Sequence, residues 1–127
     1  MKPGREIRHL NRPAVLNTLD FAMVDALVAA CDALARDGSI RVVVLAGSGK
    51  HFMAGGDVRT FHSTLDRPPA ERHAVFERLV DRIHYAIETF HRLDVPVVAR
   101  VQGAVAGFGL SMVCACDLAI AADDAYF

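Results

Sequence analysis

The chain lacks a surplus of either charge: 14 lysines and arginines against 15 aspartates and glutamates leave a net charge of -1. No basic field therefore draws it to nucleic acid. The basic residues near its start, Lys2, Arg5, Arg8 and Arg12, are too sparse for a polybasic arm and are read as solvated. A long apolar run is missing too. Residues 101–116 are uncharged but are interrupted by Gln102, Gly103, Gly107, Gly109 and Ser111 and stop at Asp117, short of the about 20 residues that a membrane span needs. The opening MKPGREIRHL has no apolar signal-peptide core. Cysteines are few and odd in number: Cys31, Cys114 and Cys116. Their apolar surroundings read as buried, reduced thiols, which suits the cytoplasm. Cys114 and Cys116 point to different faces of a helix and have no neighbouring histidine, so no metal site is expected. There is no internal repeat.

What is present is an apolar, globular composition: 53% hydrophobic and 23% charged residues over 127 positions, enough for one domain with a real core. Residues 10–19 read as extended or turning. Residues 21–36 place Met23, Ala26, Leu27, Ala30, Cys31 and Leu34 at helical spacing, with Asp20 as N-cap and Gly38 as stop. IRVVVLA, residues 40–46, is β-branched and apolar, as expected of a strand covered on both faces. A glycine-rich loop, residues 47–57, leads to a short helical start at 58–61, and residues 63–70 are linker-like. Pro68 and Pro69 open a long helix to about Arg92 with a stripe of Phe76, Leu79, Val80, Ile83, Ile87 and Phe90. A strand at 97–101, a second glycine-rich turn at 103–109, a helix through Ala115 and a strand at 117–122 complete an α/β order with mostly parallel strands.

Both glycine turns follow an apolar strand and precede a helix, the place where ligands bind in open α/β sheets. Together they offer backbone N–H groups to one oxygen, as an oxyanion hole does, or they are simply tight strand-to-helix connections. Sharper motifs fail. A phosphate-binding loop at Gly47-Ser48-Gly49-Lys50 would need glycine at Val44 and a hydroxyl residue at His51. The dinucleotide fingerprint lacks its third glycine, since Met112 follows Gly107-Phe108-Gly109. Ser111 is flanked by Leu110 and Met112, so no nucleophile elbow exists, and its hydroxyl is expected to bond a carbonyl of the preceding turn. A serine peptidase chemistry would need His84 or His91 beside Ser111. His51 reads as an exposed loop histidine rather than a phosphate contact.

Three ordered blocks carry a resemblance. Leu10-Asn11-Arg12-Pro13 with Leu16-Asn17, the run from Val42 to Gly47 followed by Phe52-Met53-Ala54-Gly55-Gly56-Asp57, and Pro96-Val97-Val98-Ala99 through Gly103, Gly107, Gly109 and Ala115-Cys116-Asp117-Leu118 resemble the enoyl-CoA hydratase/isomerase (crotonase) superfamily. Ala125-Tyr126-Phe127 matches a further segment, so the resemblance covers nearly the whole chain. It implies a crotonase-like spiral of ββα units and a pocket for acyl-CoA thioesters. It also implies two backbone N–H groups that polarise the thioester carbonyl and stabilise an enolate. On this chain those donors fall at Gly56 and Phe108, with Asp57 as a helix cap rigidifying the first turn. Ala14, Val15 and Ala54 match positions lying along coenzyme A; with Gly56, Asp57, Val58 and Phe108 they form the expected substrate-binding set. The resemblance implies no metal, no cofactor beyond the coenzyme A of the substrate, and a trimer or hexamer for a longer parent.

The pattern is also broken. The first glutamate of the hydratases falls at Ser111, which has no pKa near neutrality and cannot serve as general base. The second lies beyond Phe127. The family's opening β-hairpin has only nine residues in which to form here. The 127 residues are thus expected to be one partial domain, the amino-terminal half of a core, exposing apolar surface when isolated. Isomerase-type proton transfer fits better than hydration. The competing expectation is a catalytically inactive module that binds a partner.

Overall fold

The computed structural model describes residues 4–127, so Lys2 lies outside the described residues. Four parallel strands stand side by side in chain order: β1 (Arg5–Leu10), β2 (Val42–Gly47), β3 (Val97–Val101) and β4 (Leu118–Ala121). Parallel neighbours need crossovers, and crossovers of one hand lay every helix on the same side of the sheet. Those crossovers are α1 (Phe21–Arg36), the pair α2 (Val58–His62) and α3 (Pro69–Arg92), and α4 (Phe108–Cys114). Helices α1 and α3 pack on each other, joined at the rim by Arg82 to Asp25 at 2.6 Å and by the Tyr85 hydroxyl to Asp32.

The predicted helices and three of the four strands lie where the periodicity put them. Strand β1 has no counterpart in the sequence reading. Half of its six residues are charged, and Glu6 and Arg8 pair with each other at 3.0 Å instead of supplying an apolar stripe; such a strand is legible only through its neighbour, with Ile7 beside Val44 and Leu10 beside Gly47. The inward-facing residues Val43, Leu45, Val97, Ala99 and Val101 are buried, whereas Val42, Val44 and Val98 on the outward face are half-buried. The expectation of a strand covered on both faces therefore holds fully on the helix side and partly on the other, where Ala46 is buried and Val42 and Val44 are half-buried. On α1 the core stripe is Val24, Leu27, Cys31 and Leu34, with Ala26 exposed; on α3 it is Leu79, Ala86 and Phe90, with Val80 exposed. Strand β4 is open to solvent throughout, Leu118 and Ile120 being 63% and 66% exposed.

A second, shorter ladder runs beside the sheet. Parallel bridges join Leu19 to Gly56, Met53 to Val105 and Ala104 to Tyr126. Each of the first three long strands is thus followed by a short bridged segment and then a helix, a repeating ββα turn, and β4 is followed by the bridged segment at Tyr126. This second ladder is what brings the two glycine turns side by side.

Candidate active site

The first turn is held by polar side chains from upstream. Asn17 is fully buried, at φ 54°. Its amide donates to the carbonyls of Ser48 (2.9 Å), His51 (2.8 Å) and Phe52 (3.1 Å), and its Oδ1 accepts from the Arg12 N–H at 2.8 Å. One side chain therefore satisfies three otherwise orphaned loop carbonyls. Asp57 caps α2, accepting from Arg59 N–H at 3.0 Å, while its other oxygen meets Arg12 Nη2 at 3.0 Å. The Arg12 hydrogen bond holds the Asp57 carboxyl below the ordinary carboxylate range, and the N–H groups of Thr60 and Arg59 act in the same direction. Arg12 is consequently not solvated, in contrast to the sequence reading: its side chain is 28% exposed and lies between two carboxylates.

The second turn is held by backbone. Met53 N–H donates to Ala104 O at 3.2 Å, and Ala106 N–H returns to Met53 O at 3.0 Å. His51 is half-buried rather than exposed, its Nδ1 accepting from Ala104 N–H at 3.0 Å. A Cβ on Gly109 would collide with the Met53 carbonyl oxygen. A Cβ on Gly55, at φ 87°, would lie 3.6 Å from the Gly107 α-carbon, so the two turns meet main chain to main chain.

Peptide planarity then orients the donors. In a trans peptide the N–H points opposite to the preceding carbonyl. Gly55 C=O accepts from Leu19 N–H at 2.8 Å, so the Gly56 N–H is aimed away from the Leu19 segment. Gly107 C=O accepts from Leu110 N–H (3.0 Å) and Ser111 N–H (3.3 Å) along α4, so the Phe108 N–H is aimed out of the helix start. Among the described residues, neither of these two N–H groups has a hydrogen-bond partner.

The other expected residues distribute around these turns. Ala14 and Val15 sit in a 3-10 turn (Pro13–Val15) whose Pro13 packs on Gly49 of the first loop. Ala54 is tied into the short ladder by its N–H to Leu16 O at 3.0 Å. Val58 begins α2 and is 75% exposed. Phe108 is half-buried against the core. Ser111 is exposed, and among the described residues its hydroxyl has no partner, so the expected bond to the preceding turn is not made. It lines a groove of about 580 Å³ between α3 and α4 with Ile87, Glu88, His91, Gly107 and Cys114. His91 lines the same groove as Ser111, without a hydrogen bond between them, whereas His84 does not line it.

The thiols divide. Cys31 is buried and Cys116 half-buried, and desolvation pushes their pKa values up to about 12 and about 11, keeping both protonated. Cys114 is exposed, contrary to the reading of three buried thiols, because α4 turns that face to the open groove.

The fold has close parallels among known proteins. The sequence profile described as enoyl-CoA hydratase/isomerase matches residues 6–127. The chain belongs to the enoyl-CoA hydratase/isomerase family. Rat mitochondrial Delta(3,5)-Delta(2,4)-dienoyl-CoA isomerase is 31% identical to it over 122 residues, covering 93% of this chain and 37% of the relative. A solved enoyl-CoA hydratase from Mycobacterium smegmatis is 41% identical with a TM-score of 0.82, covering 94% of this chain and 44% of that one. A solved enoyl-CoA hydratase/isomerase from Marinobacter aquaeolei is 32% identical with a TM-score of 0.88, covering 98% and 48%. The crotonase-like fold expected from the sequence is thus the fold of the chain. This family member spans about two-fifths to one-half of these three relatives. No helix among the described residues is long and apolar enough to cross a membrane.

Proposed function

We propose that the chain carries the thioester-gripping part of an acyl-CoA site, in which the N–H groups of Gly56 and Phe108 polarise one carbonyl oxygen and stabilise the enolate formed beside it. The observation that carries this reading is the abutment of two glycine turns whose outward amides have no partner within the described residues. Ala14, Val15, Ala54 and Val58 form the rim along which coenzyme A would lie, with Asp57 rigidifying the first turn. Proton transfer between carbons fits better than hydration. A hydratase needs carboxylates to hold and shuttle the proton of water, and Ser111 supplies none; loss of one such group typically removes on the order of 10²–10⁴ in rate. The acid of the reaction, on this reading, is not supplied at position 111, and the protein would act as a cytoplasmic homo-oligomer. The similarity to a dienoyl-CoA isomerase favours the same direction.

A second reading treats the chain as a catalytically inactive partial domain with a structural or partner-binding role. It is favoured by the open β4 edge with exposed Leu118 and Ile120. Titration with acetoacetyl-CoA against free coenzyme A, which has no carbonyl in that position, separates the two. The proposal expects tighter binding of the thioester and amide shifts at positions 56 and 108; equal binding without those shifts overturns it. Turnover of a 3-enoyl-CoA by the 127-residue protein would exclude the inactive module.

A further inference from the structure

We infer that Arg12 is a positioning residue for the proposed site: it clamps the caps of two helices so that the Gly56 N–H stays turned away from the Leu19 segment and free for a ligand, although Arg12 itself touches no substrate. The inference rests on the reading of Gly56 and Phe108 given above.

Arg12 Nη2 lies 3.0 Å from Asp57 Oδ2 and 3.1 Å from Asp20 Oδ2, and Nη1 donates to Thr18 O at 2.5 Å. Each carboxylate uses its other oxygen to cap a helix: Asp20 Oδ1 accepts from Met23 N–H at 2.8 Å, and Asp57 Oδ1 accepts from Arg59 N–H at 3.0 Å. One guanidinium therefore ties the start of α1 to the start of α2. Between the two caps runs the short ladder, with Leu19 N–H donating to Gly55 O at 2.8 Å and Asp57 N–H donating to Leu19 O at 2.9 Å. Gly56 is framed on both sides by bonds to Leu19, and the residues flanking Leu19 are the partners of Arg12. The peptide plane that carries the Gly56 N–H can turn only if this frame loosens.

The electrostatics make the frame depend on Arg12 specifically. Asp20 and Asp57 share one guanidinium nitrogen, so without it two like charges face each other across the ladder. Arg12 reaches three acceptors with a planar fork, a geometry that a lysine ammonium on its flexible stem does not reproduce. The backbone of Arg12 is itself anchored by Asn17, which also pins the first loop.

The test uses the 127-residue protein and the variants Arg12→Leu, Arg12→Lys and Asp57→Asn, with Arg36→Leu on the exposed face of α1 as control. Two quantities are read in folded protein: amide exchange of Leu19 and Asp57 relative to Ala106, and the ratio of acetoacetyl-CoA to coenzyme A affinity. Arg12→Leu is expected to speed exchange at Leu19 and Asp57 at least tenfold while Ala106 is unchanged, and to lower the affinity ratio about tenfold. Arg12→Lys recovers part of both, and Asp57→Asn combined with Arg12→Leu adds little to either single change. A merely structural role would scale both affinities together and leave their ratio alone. Should Arg12→Leu not fold, Arg12→Lys and Asp57→Asn carry the test. If the wild type prefers the thioester and the Arg12 variants keep that preference and the exchange pattern, the positioning role is overturned alone. If the wild type shows no preference, the oxyanion reading falls, and a role of Arg12 in recognition falls with it.

Discussion

The two glycine turns are held by different balances of side chain and backbone. The first, ending at Gly56, is tied by side chains that reach across the sequence: Asn17 to three loop carbonyls, and Arg12 to Asp57. The second, ending at Phe108, is tied mainly by close backbone contact, with Gly109 against the Met53 carbonyl and Gly107 against Gly55; side chains enter only at its start, where His51 and Asp124 accept from the Ala104 and Gly103 N–H groups. A turn built from ionic and hydrogen-bonding groups responds to pH and to the deletion of atoms. A turn built from close backbone contact responds to the addition of them.

The largest effect should come from adding an atom to the second turn. Gly109→Ala places a methyl group on the Met53 carbonyl, and urea denaturation is expected to show a loss of about 4 kcal/mol or outright failure to fold. An unchanged midpoint would mean that α4 does not pack on Met53 as described. Next is the deletion in the first turn: Asn17→Ala strands the buried carbonyls it serves and is expected to cost about 3 kcal/mol.

The turns should also part in acid. Asp57 has its folded pKa below the unfolded value, so its contribution is fully present above about pH 4 and is lost as pH falls through the lower folded value. Asp37, lowered by its bonds to Ser39, moves the same way far from the site. The difference between wild type and Asp57→Asn isolates the turn: that difference should vanish in strong acid, and amides of the second turn should not follow it. A difference that persists below the folded value would assign it to shape rather than charge.

Thiol labelling gives a smaller but cleaner contrast. Iodoacetamide should modify exposed Cys114 in the folded protein and reach Cys31 only on unfolding, as mass spectrometry would show. The smallest effect belongs to Arg36→Leu, whose ion pair with Asp32 is largely exposed. It should change stability by less than about 0.5 kcal/mol.

The sequence made the second turn easier to read than the first. Gly103, Gly107 and Gly109 between an apolar strand and an apolar helix announce a tight crossing, since close approach requires those residues whatever surrounds them. Arg12 looked like a solvated charge because its partners lie 8 and 45 positions away. Strand β1 is illegible for a related reason: Glu6 and Arg8 pair with each other, so no apolar alternation remains to betray a strand that exists through pairing with β2. Cys114 was placed inside by its apolar neighbours, yet the face of α4 that carries it opens on the groove with Ser111.

Local chemistry alone determined the helices, the three apolar strands, the two glycine-rich crossings and the absence of a carboxylate at position 111, because periodicity, caps and residue identity act over a few neighbouring positions. Only the tertiary structure decided that the crossings abut, that one guanidinium joins two helix caps, and that the sheet leaves β4 open to solvent. Those are contacts between segments remote in the chain, and a peptide plane takes its direction from the partner its carbonyl finds there.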